Sequence, residues 1–181
     1  MKTLTACLLS CFLAGSLTAA DIAPSMQAAL DAQKKIIAAW AADPVLVAAV
    51  KTQNAKGPIA GMDNAAWKKL PPGDPIVHAL QTNAAGVWLA EKIKSGGGLF
   101  TEAFLNGAKG EKAAFAQKTT SYLHAGTPKF DVPMSGKPWQ GVPEFDESSQ
   151  TQAVQISTPV LDNGRPIGVL VVGISTRQAD S

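Results

Sequence analysis

The chain has 181 residues, with 16 Lys+Arg against 14 Asp+Glu and a formal charge of +2. Hydrophobic residues make up 46% and charged residues 17%. This excludes a disordered chain, which needs few apolar residues or a high net charge. It also excludes nucleic-acid binding through a large basic field. The length gives one domain with a substantial core.

The first twenty residues read as a leader. Lys2 is the only charge before Asp21, an apolar run extends from Leu4 to Leu17, and Ser16 to Ala20 offers small residues for cleavage. A basic start, a short apolar stretch and a small-residue exit make a secretory signal peptide. The apolar run is shorter than the roughly 20 residues that cross a bilayer, although an uncleaved anchor is the alternative reading. The expected product is one domain, residues 21–181, periplasmic or secreted. Both cysteines, Cys7 and Cys11, fall in the leader. The exported chain therefore has no disulfide, no thiolate nucleophile and no Cys-ligated metal.

Helices come first. Ile22, Met26, Ala29, Leu30, Gln33, Ile36, Ile37 and Trp40 recur at intervals of three and four, predicting a long helix with one apolar stripe. Asp43-Pro44 caps and opens a second helix, from Val45 to about Asn54. Asp63 caps a short turn of helix through Trp67 and Leu70, ended by Pro71-Pro72-Gly73. Asp74-Pro75 begins a helix expected to run unbroken from Ile76 through Trp88 to Ile93.

After Gly98 the period changes to two. Leu99 to Asn106 and Glu111 to Lys118 alternate and predict an antiparallel hairpin. Glu102 and Phe104 share one face of its first strand, and Phe115 opposes Lys112 on its second. Thr119 to Gly141 holds Pro128, Pro133 and Pro138 and shows no period. It reads as a long structured connection, a kind of segment that often carries function. Thr151 to Leu161 alternates, Asp162-Asn163-Gly164-Arg165 gives a hairpin turn, and Ile167 to Ser175 is apolar on both faces. This last strand is expected at the centre of the sheet. The fold class is α+β: an antiparallel sheet of about five strands with a long N-terminal helix and further short helices. The long helix covers one face; the other helices and the connection cover the other.

The run Val154-Gln155-Ile156-Ser157-Thr158-Pro159-Val160-Leu161-Asp162-Asn163-Gly164-Arg165-Pro166-Ile167-Gly168 resembles a single Cache domain. Thr119-Thr120-Ser121-Tyr122, Lys129-Phe130 and Phe100-Thr101-Glu102-Ala103-Phe104 add to the resemblance. These are the PAS-like extracytoplasmic sensor domains, also called PDC domains, of chemoreceptors and sensor kinases. The resemblance implies a small polar ligand, often a carboxylate or an amino acid, held between the sheet and the connection after the second strand. Relatives often carry Asp and Trp where this chain has Ser121 and Leu123, followed here by His124.

A pocket for a small anion needs a cation, hydroxyl donors and an apolar wall. The connection supplies Thr119, Ser121, Tyr122, His124 and Lys129, and Phe104 and Phe115 can supply the wall. Trp139 either closes the far side or packs. Tyr122 either lines the pocket or anchors the connection, and Lys129 is either the ligand's cation or a solvated surface lysine. Glu102 is expected to be exposed or near a cation such as Lys129, because an inward carboxylate is costly alone.

The sequence carries no Gly-x-Ser-x-Gly elbow, no phosphate-cradling Gly-Lys-Ser/Thr loop and no His-Glu-x-x-His. His78 and His124 are its two histidines, too few for a metal site without cysteines. The reading is a free-standing, exported, non-catalytic sensor domain without a cofactor. Its expected partners are a small-molecule ligand and a membrane sensor kinase or chemoreceptor, with its oligomeric state open. The alternative is an interaction subunit with the same fold and no functional pocket.

Overall fold

The computed structural model describes residues 22–146 and 149–179. The expected leader, with Cys7 and Cys11, lies outside the described residues. Helix α1 spans Pro24–Ala41, α2 Pro44–Lys56, α3 Asn64–Lys69, α4 Pro75–Thr82 and α5 Ala84–Ser95. Strands β1 (Phe100–Asn106) and β2 (Lys112–Phe115) follow, then α6 (Pro128–Met134), β3 (Trp139–Gln140) and β4 (Glu144–Asp146). Strands β5 (Thr151–Asp162) and β6 (Arg165–Ser175) and a last turn of helix, α7 (Thr176–Ala179), complete the order.

Local chemistry sets the helix starts. The side chains of Asp43, Asp63 and Asp74 accept hydrogen bonds from the backbone N–H of Val45, Ala66 and Ile76. Such caps each contribute about 1 kcal/mol. The expected single helix from Ile76 to Ile93 is instead broken in two. Asn83 takes an extended backbone (φ −64°, ψ 165°), and its side chain accepts from Gly86 N–H. The apolar period runs straight through this break, so periodicity did not reveal it; the asparagine did offer a cap signal.

The sheet is antiparallel and six-stranded, in the order β2-β1-β6-β5-β3, with β4 also pairing β5. That is one strand more than the expected five or so. The core of the fold class stands: α+β, with β6 central and buried along most of its length. Asn163 (φ 49°) and Gly164 (φ 77°) turn the chain between β5 and β6, as an Asn-Gly hairpin requires.

Each sheet face has its own core. Ala103, Leu105, Val154, Ile156, Leu170 and Val172 pack with Leu30, Ile37, Leu46, Val50 and Leu89. This face therefore carries α1, α2 and α5, not α1 alone as expected. Phe104, Phe115, Val169 and Val171 pack on the opposite face with Trp67, Val77, Tyr122 and Phe130. Helices α3, α4 and α6 and the connection 116–127 cover that side.

Two features of the hairpin were not expected. Leu105 pairs with Ala114 but Asn106 pairs with Lys112, so Ala113 is an extra residue in β2. This β-bulge turns Lys112 over to the Phe104 side, where simple alternation placed it opposite Phe115. The segment read as irregular also contains α6 and β3. Pro133 lies inside α6 and masked the helix, since proline usually ends one.

Candidate functional site

A cavity of about 280 Å³ opens on the second face of the sheet. Its floor is Glu102 and Phe104 of β1 with Ala153 and Gln155 of β5. Thr119, Thr120, Ser121, Leu123 and His124 of the connection form one wall, with Asn64 of α3 behind them. Thr127 and Lys129, at the start of α6, form the next. Trp139, Gly141, Val142, Glu144, Phe145 and Asp146 close the edge.

Six of the eight expected residues meet here: Phe104, Thr119, Ser121, His124, Lys129 and Trp139. Tyr122 and Phe115 do not line the cavity. Both are fully buried in the core beneath it. The Tyr122 hydroxyl accepts a hydrogen bond from Ile59 N–H at 2.9 Å, and its ring lies 5.5 Å from that of Trp67. Tyr122 is thus the anchor of the connection, and burial raises its pKa.

The connection is held by more than Tyr122. Asn64 Oδ1 accepts from the backbone N–H of Tyr122 (2.8 Å) and Leu123 (2.7 Å), and Asn64 Nδ2 donates to Leu123 O (3.1 Å). Trp67 Nε1 donates to Thr119 O at 2.8 Å. Thr119 Oγ1 donates to Ser121 O, and Thr127 Oγ1 to His124 O. These bonds satisfy backbone groups that irregular chain would otherwise leave open. They also fix the Thr119–His124 wall against the sheet.

The floor is polar at one end. Glu102 is 3% exposed and accepts a hydrogen bond from the Gln155 side-chain amide. The two strands are separated by β6, but both residues pair with Gly173, which has no side chain to keep them apart. Glu102, expected exposed or near a cation such as Lys129, is buried with the Gln155 amide bonded to it. Sequence reading missed Gln155, Asn64, Thr127, Glu144 and Asp146. Gln155 was legible as a polar residue between the apolar Val154 and Ile156; Glu144 and Asp146 lie on a strand too short to show a period.

His124 is 6% exposed and its ring stacks on Phe104, centroids 4.8 Å apart. Among the described residues its Nδ1 has no hydrogen-bond partner. Burial lowers its pKa to about 2, with the charges of Lys112 and Lys129 adding to the effect. It is a neutral imidazole at physiological pH. Lys112 is fully buried, and burial pulls its pKa well below the usual lysine range despite the opposing charge of Glu102. The site thus combines a partly exposed cation (Lys129), carboxylates (Glu102, Glu144, Asp146), hydroxyls and an aromatic wall. His78, the other histidine, is exposed on α4. Among the described residues no group of His, Cys, Asp and Glu has the arrangement of a metal site.

No family model and no curated protein matches the chain. Solved structures do resemble it. The V. cholerae histidine kinase DctB sensor domain shares 17% identity at a TM-score of 0.56, over 87% of this chain and 54% of that one. The E. coli DcuS sensor domain shares 12% at 0.43, over 82% and 96%. The sensory domain of the Campylobacter jejuni chemoreceptor Tlp3 with isoleucine bound shares 16% at 0.44, over 88% and 66%. The chain spans about half the length of the DctB sensor domain. The α+β fold expected from the sequence is shared with the DctB sensor domain.

Proposed function

We propose that this chain is an exported, non-catalytic sensor domain that binds a small carboxylate or amino-acid-like metabolite and passes its occupancy to a membrane sensor kinase or chemoreceptor. The observation that carries the reading is the cavity itself: about 280 Å³, between the sheet and the connection, with Lys129, His124 and threonine and serine hydroxyls on one side and Glu102 on the floor. That volume is just below the roughly 300–1,000 Å³ typical of ligand pockets. A metabolite, not a polymer, suits it.

The charges favour a ligand with both signs. Lys129 suits a carboxylate, and Glu102, Glu144 and Asp146 suit an ammonium group. A bare dicarboxylate would face those three acids with fewer cations. The DctB sensor-domain fold supports a sensing role, because a fold shared with the input domain of a histidine kinase is suited to converting occupancy into a contact with another protein. The cavity also weighs against an interaction subunit whose pocket is filled by its own side chains.

A thermal-shift screen of small carboxylates, amino acids and amines, followed by calorimetry on the hits, tests the reading. A saturable rise in melting temperature with an α-amino acid or a close analogue is expected. A flat response across all three classes would contradict it.

A further inference from the structure

One buried group lies outside the lining of this cavity. Lys112 is fully buried, and its Nζ sits 3.2 Å from the centroid of the Phe104 ring. Among the described residues that nitrogen has no hydrogen-bond partner. Its cross-strand neighbour Asn106 is also fully buried, and neither polar atom of its side chain has a partner. A buried polar group left unpaired costs about 1–3 kcal/mol. Two such residues side by side call for an explanation beyond packing.

Access limits what can bind. The nitrogen lies over Phe104, which lines the cavity and has the His124 ring stacked on it. A fully buried nitrogen behind two stacked rings excludes a bulky or charged ligand, so whatever reaches it must be small and neutral. The charged and titratable groups that act on the amine are Glu102 of β1, Lys129 of α6 and His124 of the connection. Burial outweighs Glu102 and leaves Lys112 with a larger neutral fraction than an exposed lysine. A neutral amine is a nucleophile.

We propose that Lys112 is a reversible carbon dioxide site, with the Nζ amine adding to the gas to form a carbamate that Asn106 hydrogen-bonds and the charge of Lys129 stabilises. The step balances without a further reagent. The nitrogen lone pair forms the N–C bond, one C=O π pair moves onto oxygen, and one N–H proton leaves to solvent. No atom is oxidised or reduced. The Asn106 Nδ2 donates to the new anion, which gives a partner to one of its two orphaned polar atoms. An anion then replaces an amine directly behind Phe104, so carbon dioxide and any charged ligand in the cavity become reciprocally coupled.

The test uses the full chain with ¹³C-labelled bicarbonate and carbon dioxide at mildly alkaline pH. Carbamates are trapped with a trialkyloxonium reagent and located by peptide mass mapping, and the free carbamate is followed by ¹³C NMR. The trapped group is expected on Lys112 in excess over any exposed lysine, since burial favours its neutral, nucleophilic amine. It should vanish when the gas is purged and in Lys112→Met. A Lys112 peptide that stays unmodified while exposed amines are trapped overturns the proposal. If Lys112→Met does not fold, mapping the unsubstituted chain decides alone. No cavity ligand is added, so this result is independent of the thermal-shift screen.

Discussion

Glu102 and Gln155 are hydrogen-bonded although their strands are not neighbours. The contact passes over Gly173 of β6, which pairs with both. A Cβ at Gly173 would stand 2.4 Å from Thr101 Oγ1 and 2.9 Å from Glu102 Cγ. The first is closer than any real contact, and Thr101 and Glu102 would have to shift. Gly173→Ala is expected to cost about 1–3 kcal/mol through overpacking and to displace Glu102 from the cavity floor. Urea denaturation measures the first effect. Ligand titration of the folded fraction measures the second, and unchanged affinity would detach Glu102 from recognition.

Asn64 holds the cavity wall through three hydrogen bonds to Tyr122 and Leu123. Removing it leaves two backbone N–H groups and a carbonyl without their partner. Asn64→Ala should lose about 2 kcal/mol or more. Hydrogen exchange should speed up most at the Tyr122 and Leu123 amides. If exchange rises evenly over the whole chain instead, Asn64 supports global stability and not this wall.

His124 gives the fold a pH dependence of definite sign. Its pKa is about 2 in the folded chain against an ordinary 6.5. Below 6.5 the unfolded chain takes up a proton that the folded one refuses. Stability is therefore lost as pH falls through the window from 6.5 to about 2. The slope is about 1.4 kcal/mol per pH unit. His124→Gln cannot titrate and should flatten the curve by that amount. The difference between the two denaturation curves at a series of pH values isolates the effect from the carboxylates, which titrate in both.

Much of this was readable from residues. The alternation of Thr151 to Leu161 and the Asn-Gly turn gave β5, β6 and the sheet centre, because strand period and turn chemistry are local. Phe104, His124 and Lys129 were expected together, since one connection after a hairpin must fold back over its sheet. What was hidden depends on single residues. Ala113 is one extra alanine in Lys112-Ala113-Ala114-Phe115, and a period-two reading cannot detect that the ladder skips it. Tyr122 and Phe115 are aromatic, and aromatic character does not say whether a ring faces a cavity or lies beneath it. Trp139–Gln140 and Glu144–Asp146 are strands only because β5 offers them an edge; their own sequence is too short to show it.

Lys112 should weaken the fold at neutral pH. With its pKa lowered by burial, the unfolded chain holds that proton more tightly at every pH below the ordinary 10.5. Replacing the amine by an apolar chain of similar length removes the penalty. Lys112→Met is expected to raise stability by about 1 kcal/mol or more near pH 7. The gain should shrink as pH rises toward 10.5. Chemical denaturation at both pH values checks it, and a destabilised variant at neutral pH would mean that the contact with Phe104 outweighs desolvation.

The role of the cavity stands or falls with Lys129, which lines it but belongs to neither buried core cluster. Calorimetric titration of the best thermal-shift hit into the unsubstituted chain and into Lys129→Ala, with melting temperatures of both, is the most direct measurement. One saturable site is predicted in the first and none in the second, at nearly equal melting temperatures. Equal affinity in the two proteins would contradict the account.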